Sequence, residues 1–157
     1  MTDLFLVRHA PGKKDGNDAQ RAVSKRGRLR LEQLVRALRR LGVRFDALHH
    51  GSALRSLETA NALCVVLDGP SRVTGAADDA ADLLRGSETG RVAIVGGGSE
   101  LIALGTRLIQ GDAGGAAAFA LKPTGVAWLV GEPAWGQMRL RALLSPRIVR
   151  ALAAVHR

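Results

Sequence analysis

The sequence lacks tyrosine and contains few aromatic residues of any kind. Phenylalanine and tryptophan together make up 3% of its 157 residues. Proteins that bind single-stranded nucleic acid without reading its sequence use aromatic side chains as stacking platforms for the bases. The composition therefore argues against single-strand binding, and it predicts a hydrophobic core built mainly from leucine, valine and alanine.

Cysteine is represented by a single residue, Cys64, which has no partner for an internal disulfide. It lies in the apolar segment ALCVVL, where we expect a buried structural thiol, because reactive thiols need an exposed electropositive setting. The low cysteine content fits a reducing compartment, so we expect a cytoplasmic protein. The sequence shows no signal peptide and no apolar run near the roughly 20 residues that span a bilayer. No association with a membrane is predicted.

Motifs for metals and nucleotide cofactors are missing as well. Cysteine and histidine do not recur at the spacing of metal ligands, so no metal site is predicted. The dinucleotide motif GxGxxG is absent, and the triple glycine at 96–98 lacks the lysine and serine of a phosphate-binding P-loop. We expect a protein that works without a cofactor.

The charge is strongly one-sided, with a net charge of +9. Such an excess indicates an anionic partner, and phosphate esters and nucleic acid are the two candidate classes. Many of the arginines fall within residues 25–44, where apolar residues recur at helical spacing and leave the arginines on the opposite face. A solvated helix face is the simpler interpretation, and nucleic-acid binding remains a lesser alternative that we consider unlikely from the composition.

Strands and helices are predicted to alternate along the chain. Ser24 and Ser99 are expected to cap helices, and Gly42 is expected to end the first one. A hairpin is predicted around residues 132–136. The order predicts one α/β domain over residues 1–157, a three-layer α/β/α sandwich around a mostly parallel sheet. The other predicted strands are 3–8, 45–49, 72–74 and 91–96, and the predicted helices are 25–41, 53–66, 78–86, 99–110 and 145–157.

The carboxyl ends of parallel strands gather at one edge of a sheet, where ligands commonly bind. Arg8 and His9 follow the first predicted strand, and Arg55 lies in the first turn of the helix after the second strand. A neutral histidine nitrogen can attack phosphorus, and arginine guanidinium groups bind phosphoryl oxygens. Two arginines with a histidine between them therefore predict a pocket for a dianion.

Three segments in this order resemble the histidine phosphatase (phosphoglycerate-mutase-like) superfamily and its small phosphohistidine phosphatase branch. They are LVRHA at 6–10, SKRGR at 24–28 and SALRSLETA at 52–60. The resemblance implies a phosphoglycerate-mutase-like fold and a phosphohydrolase in which His9 is the transiently phosphorylated nucleophile. Arg8 and Arg55 would bind the phosphoryl group. Ser24 matches the helix-entry motif and is a candidate accessory residue.

The sequence departs from the superfamily at the end of the fourth strand. The resemblance implies a second catalytic histidine at the position of Gly97, which is followed by Gly98. Loss of one group that stabilises a transition state typically costs on the order of 10²–10³ in rate. Gly97 and Gly98 could form a nest of phosphate-binding N–H groups, the site could be impaired, or His49 or His50 could supply the missing imidazole. The impaired site is favoured, with both histidines as ordinary strand-end residues.

The function predicted from the sequence is therefore a phosphohydrolase that acts through phospho-His9, with activity in doubt because of Gly97. The alternative is an inactive pseudophosphatase that binds phosphorylated partners. The expected ligands are a phosphorylated protein or a small phosphate ester, and inorganic phosphate or sulfate is expected to occupy the same site. No general acid could be chosen among Asp15, Asp18 and Glu58. Phosphohistidine needs less protonation of its leaving group than an alkyl ester does.

Overall fold

The computed structural model describes residues 1–68, 73–74, 90–112 and 115–155. Its centre is a sheet of six strands in the order β3-β2-β4-β1-β5-β6. The pairs β3–β2, β2–β4 and β4–β1 are parallel, and β1–β5 and β5–β6 are antiparallel. The strands are β1 (Thr2–Arg8), β2 (Ala47–His50), β3 (Val73–Thr74), β4 (Arg91–Gly96), β5 (Val126–Gly131) and β6 (Met138–Leu144).

Helices cover both faces of this sheet. They are α1 (Lys25–Arg40), α2 (Leu54–Leu63), α3 (Gly98–Gln110) and α4 (Pro146–Ala153), with short 3-10 helices at Asp18–Gln20 and Cys64–Val66. Strand β1 is buried on both sides, because Phe5 and Val7 face α1, α2 and α4 while Leu4 and Leu6 face α3. The three-layer α/β/α sandwich around a mostly parallel sheet is therefore confirmed.

The ends of α1 follow from its sequence. Ser24 is the N-cap, and its Oγ accepts the N–H of Gly27 at 3.0 Å. Gly42 follows the helix with φ +69, a left-handed conformation that glycine adopts readily. A Cβ at Gly27 would collide with the carbonyl oxygen of Pro11 and lie 2.7 Å from Val23, so this glycine lets α1 pack against the loop after β1.

Several predicted boundaries are wrong. Ser99 lies inside α3, and Gly97 is the N-cap, because Gly97 keeps an extended backbone and the helix already begins at Gly98. Phe45 forms only an isolated bridge to Leu67, so β2 begins two residues later than predicted. The predicted helix at 78–86 lies outside the described residues. The predicted hairpin is confirmed as β5 and β6.

Cys64 packs partly against the core formed by α1, α2 and α4. Its Sγ–H donates to the carbonyl oxygen of Ala60, and burial raises the pKa of the thiol. A raised pKa reduces the thiolate fraction, which is the opposite of what a nucleophile needs.

None of the helices in the described ranges combines the length and the apolar character that crossing a bilayer requires.

Candidate active site

Arg8 and His9 lie where β1 ends, at the edge of the sheet that also holds the ends of β2 and β4. Arg8 is in register with Gly96. The N–H of His9 donates to the carbonyl oxygen of Gly96 at 3.0 Å, so the chain leaving β1 stays beside the end of β4. The structure thus places His9 next to the glycine segment.

The surroundings of the His9 ring favour its neutral form. Its Nδ1 lies 3.3 Å from the carbonyl oxygen of Ala10. Because a carbonyl oxygen only accepts, this contact favours the tautomer with the proton on Nδ1 and the lone pair on Nε2. Burial lowers the pKa of His9, and the charges of Arg55 and Arg8 lower it further, against an opposing effect of the Ala10 carbonyl. Nε2 is therefore available as a nucleophile near pH 7.

The guanidinium of Arg8 lies against the first turn of α3. A Cβ at Gly98 would lie 2.9 Å from Cζ and Nε of Arg8, so a side chain at position 98 would displace this guanidinium. The Nη1 of Arg8 donates to the carbonyl oxygen of Leu121 at 2.7 Å, and its Nε is buried without an acceptor. A cation beside a helix N-terminus is unfavourable unless an anion joins them. Such an arrangement can accept an anion.

A turn at residues 121–125 holds the backbone of Arg8 from the other side. The N–H of Arg8 donates to the carbonyl oxygen of Gly125 at 3.1 Å, and the N–H of Thr124 donates to the carbonyl oxygen of Arg8 at 3.0 Å. Among the described residues, Thr124 is the one non-glycine with a positive φ, at +62, which is costly for a β-branched side chain. These contacts between the turn at 121–125 and Arg8, called the clamp on Arg8 below, were not predicted from the sequence. Their one sign in the sequence is the turn-forming segment KPTG.

Arg55 lies in the first turn of α2, as its position in the sequence predicts. Its side chain passes over Gly12, where a Cβ would lie 2.5 Å from Cδ of Arg55. Its Nη2 donates to Oδ1 of Asp18 at 2.9 Å, and its Nε is buried without an acceptor. The contact of Gly12 with Arg55 was also not predicted from the sequence, although a glycine three residues after His9 indicates a close approach to the backbone there.

Position 97 differs from position 98 in its surroundings. A Cβ added to Gly97 would meet no atom of the described residues within 4 Å. The backbone there has φ −74 and ψ 154, an extended conformation that any residue adopts. The first N–H groups of α3 have no acceptors within the helix, and Gly97 offers no side chain to cap them. A side chain at position 98 would thus displace Arg8, whereas one at position 97 would contact none of the described residues.

The two histidines that end β2 differ in burial. His50 is half-buried and in register with Val95, and its Nδ1 lies 2.8 Å from the carbonyl oxygen of the adjacent Gly51. His49 is buried, and its pKa is lowered by burial and then by the neighbouring His50.

Ser24 and Glu58 organise the loop after β1. The hydroxyl of Ser24 donates to the carbonyl oxygen of Pro11 at 3.2 Å while it caps α1. Glu58 accepts the N–H of Val23 at 3.0 Å and lies 3.5 Å from Arg28. Both side chains therefore fix the loop that carries His9 at its start.

Over the ranges described, no group of three histidine, cysteine or carboxylate side chains could hold a metal ion.

The fold is that of solved histidine phosphatases. The protein histidine phosphatase SixA, solved with tungstate, superposes with a TM-score of 0.76 at 16% identity over 93% of this chain and 98% of its own. An Agrobacterium tumefaciens protein assigned as a phosphohistidine phosphatase SixA gives 0.73 at 21% identity over 92% and 99%. The phosphoserine phosphatase of Entamoeba histolytica, solved with phosphoserine, gives 0.69 at 14% identity over 94% and 99%.

Sequence comparison adds nothing to these structural matches. No protein-family model matches the chain. No curated protein matches it either. At such low identities the superpositions establish the fold, and the expected phosphoglycerate-mutase-like architecture is confirmed.

Proposed function

We propose that the protein is a phosphohydrolase that binds a phosphoryl group between Arg8, His9 and Arg55 and acts through phospho-His9. The observation that carries this proposal is the pair of guanidinium groups around a neutral histidine. Each has a buried Nε without an acceptor, and the charges of both lower the pKa of His9. Guanidinium groups carry five N–H donors each, and the Nη donors of Arg8 and Arg55 beyond those already described can donate to phosphoryl oxygens.

The reaction follows from the state of the imidazole. The lone pair on Nε2 of His9 attacks phosphorus, and the bond from phosphorus to the leaving group breaks with its electron pair going to that group. Water then attacks the phosphorus of phospho-His9, the P–N bond breaks, and the electron pair returns to Nε2. Arg8 and Arg55 offset the negative charge that builds up on the phosphoryl oxygens in both steps.

The leaving group decides which substrates fit this site. Asp18 accepts a hydrogen bond from Arg55, and Glu58 accepts one from Val23 and lies 3.5 Å from Arg28, so the contacts of these two carboxylates assign neither of them as a general acid. Substrates whose leaving groups depart without protonation are therefore favoured, and phosphohistidine is one such class. The low cysteine content further supports a cytoplasmic location, where phosphorylated proteins and small phosphate esters would both be encountered.

A pseudophosphatase is the second candidate, and Gly97 favours it. The site would then bind phosphorylated partners through the two arginines while lacking the imidazole needed for efficient transfer. Under this alternative, inorganic phosphate binds and its affinity falls in Arg8→Ala and Arg55→Ala, while turnover is negligible.

The deciding experiment is a phosphatase assay on 4-nitrophenyl phosphate and on a phosphohistidine protein, with a search for an acid-labile phosphoenzyme. We expect His9→Ala to abolish both turnover and the phosphoenzyme, and the matched variant His50→Ala to retain them. Activity that is unchanged in His9→Ala would overturn the proposed mechanism. Loss of activity in His50→Ala alone would instead assign catalysis to the second strand.

A further inference from the structure

A second basic cavity lies beside the candidate active site. It has a volume of about 530 Å³ and lies between the amino-terminal turns of α1 and α4 and the turn at 121–125. Among the described residues that line it, none is acidic. The cations that line it are Arg26, Arg30, Lys122, Arg147 and Arg150.

These five cations, called the basic cavity below, are not neutralised by the protein. Within the described part of the chain, none of them forms an ion pair. The neighbouring Arg28, on the same helix, lies 3.5 Å from Glu58, so α1 does pair an arginine where a partner is available. Desolvation lowers the pKa of Arg30, and the charges of Arg150 and Arg26 lower it further. The fold thus keeps like charges together, which is unfavourable unless an anion binds between them.

Two segments of the chain contribute to both the basic cavity and the phosphoryl pocket. Pro11 lines the cavity and is two residues from His9. Lys122 also lines the cavity, and the adjacent Leu121 accepts the hydrogen bond from Arg8. The loop after β1 and the turn at 121–125 therefore connect the two sites.

The size and the chemistry of the cavity favour a small phosphorylated ligand. Its volume falls within the range of roughly 300–1,000 Å³ that is typical of small-molecule pockets. Four of its five cations are arginines, whose planar guanidinium groups bind phosphate oxygens in pairs. A concave site of this size suits a compact anion better than the backbone of a nucleic-acid duplex.

We propose that the basic cavity binds a further phosphate group of the substrate, so that the preferred substrate is a small molecule with two or more linked phosphates. This inference rests on the proposed function, because it assumes that the terminal phosphoryl group is transferred to His9. In the transfer, the phosphoanhydride P–O bond breaks, and the departing phosphate takes its electron pair into the basic cavity. A departing phosphate needs little protonation by a general acid.

The test is calorimetric titration with orthophosphate, pyrophosphate and tripolyphosphate at one fixed ionic strength. We expect the wild-type protein to bind tripolyphosphate at least about tenfold more tightly than orthophosphate. In Arg30→Gln/Arg150→Gln the affinity for tripolyphosphate falls at least about tenfold, while that for orthophosphate changes less than about twofold. The control Arg39→Gln/Arg139→Gln removes the same charge elsewhere and leaves both affinities within about twofold.

Several outcomes overturn the inference. An unchanged tripolyphosphate affinity in Arg30→Gln/Arg150→Gln, or an equal loss in the control variant, removes the second anion site and leaves the phosphoryl pocket intact. If Arg30→Gln/Arg150→Gln loses affinity for duplex DNA or for poly-glutamate but not for tripolyphosphate, the basic cavity binds a macromolecule instead. Arg8→Gln tests the proposed function separately, because orthophosphate affinity that is unaffected there refutes the phosphoryl pocket itself. If Arg30→Gln/Arg150→Gln misfolds, Lys122→Gln/Arg147→Gln gives the same comparison.

Discussion

The Nη2 of Arg55 donates a 2.9 Å hydrogen bond to Oδ1 of Asp18, in the loop that follows His9. The Arg55 side chain is 14% exposed, whereas that of Asp18 is 77% exposed. The arginine is therefore held in place by the protein, and the carboxylate can move away into water. Asp18 occupies one donor of Arg55 that a phosphoryl group would use, so it competes with the ligand.

Replacement of Asp18 should accordingly strengthen phosphate binding. In Asp18→Asn we expect the affinity for orthophosphate to rise by up to about fivefold, since exposed ion pairs contribute about 0.2–1 kcal/mol. Asp15→Asn is the matched control, because it makes the same charge change at an exposed position of the same loop. Equal increases in the two variants, measured by calorimetry, would show that net charge and not the Arg55 contact is responsible.

The adjacent glycines 97 and 98 should respond differently to the same substitution. Gly98→Ala places a Cβ 2.9 Å from the guanidinium of Arg8, so we expect the affinity for phosphate to fall at least about tenfold as charge-assisted hydrogen bonds are lost. Gly97→Ala enters open space and should leave the affinity within about twofold. The measurement that checks this is the dissociation constant for orthophosphate of each of the two variants. Similar losses at both positions would contradict the assigned packing of Arg8.

Gly97→His tests whether the site is an impaired enzyme. The backbone at Gly97 suits any residue, and the space beyond it is open, so an imidazole has room to enter. We expect kcat on 4-nitrophenyl phosphate to rise by a factor on the order of 10²–10³, the usual contribution of one group that stabilises a transition state. Gly97→Gln is the control for size and polarity. No gain with histidine would mean that the pocket differs from an active one in more than this residue.

The charge of Arg55 should be visible in the titration of His9. Because Arg55 disfavours the imidazolium, Arg55→Gln should raise the pKa of His9 toward its ordinary value. The acid limb of any His9-dependent activity would then move to higher pH, since a higher pH is needed to deprotonate Nε2. NMR titration of the His9 ring measures the shift, with the signal assigned by His9→Gln. A pKa that stays constant or falls would refute the proximity of the two side chains.

Gly12 is expected to act as a positioning residue for Arg55. In Gly12→Ala the new Cβ would lie 2.5 Å from Cδ of Arg55 and 3.3 Å from the carbonyl oxygen of Ala22, so the arginine must shift. We expect phosphate affinity to fall by about tenfold through weakened charge-assisted hydrogen bonds. Gly51→Ala, whose Cβ would lie 3.7 Å from its nearest neighbour, is the control and should bind normally. Retained affinity in Gly12→Ala would show that the Arg55 side chain adapts.

The sequence predicts the fold well where its pattern is local. The alternation of apolar runs identified the strands and the long helices, and Ser24 and Gly42 gave the two ends of α1. The positions of Arg8 at the end of a strand and of Arg55 in the first turn of a helix are also local information, because they follow from the order of elements. Ser99 does not cap α3, because the helix begins at Gly98 and its N-cap Gly97 has no side chain that would mark it in the sequence.

Features made by distant segments could not be predicted in the same way. The contact of Gly12 with Arg55 depends on how α2 packs over the first loop. The basic cavity brings Arg30 and Arg150 together from helices at opposite ends of the chain. Their proximity follows only from the packing of α1 and α4 on the same face of the sheet. Sequence periodicity contains no such information.

The clamp on Arg8 has a consequence for how the protein folds. Arg8 and Leu121, which share a hydrogen bond, are 113 residues apart in the chain. Contacts between such distant residues form slowly, because a long loop must close before the contact can offset its entropic cost. A chain that is still being synthesised therefore cannot fix this arginine until residues 121–125 have emerged. Under the proposed function, competence to bind phosphate would be acquired only after that point.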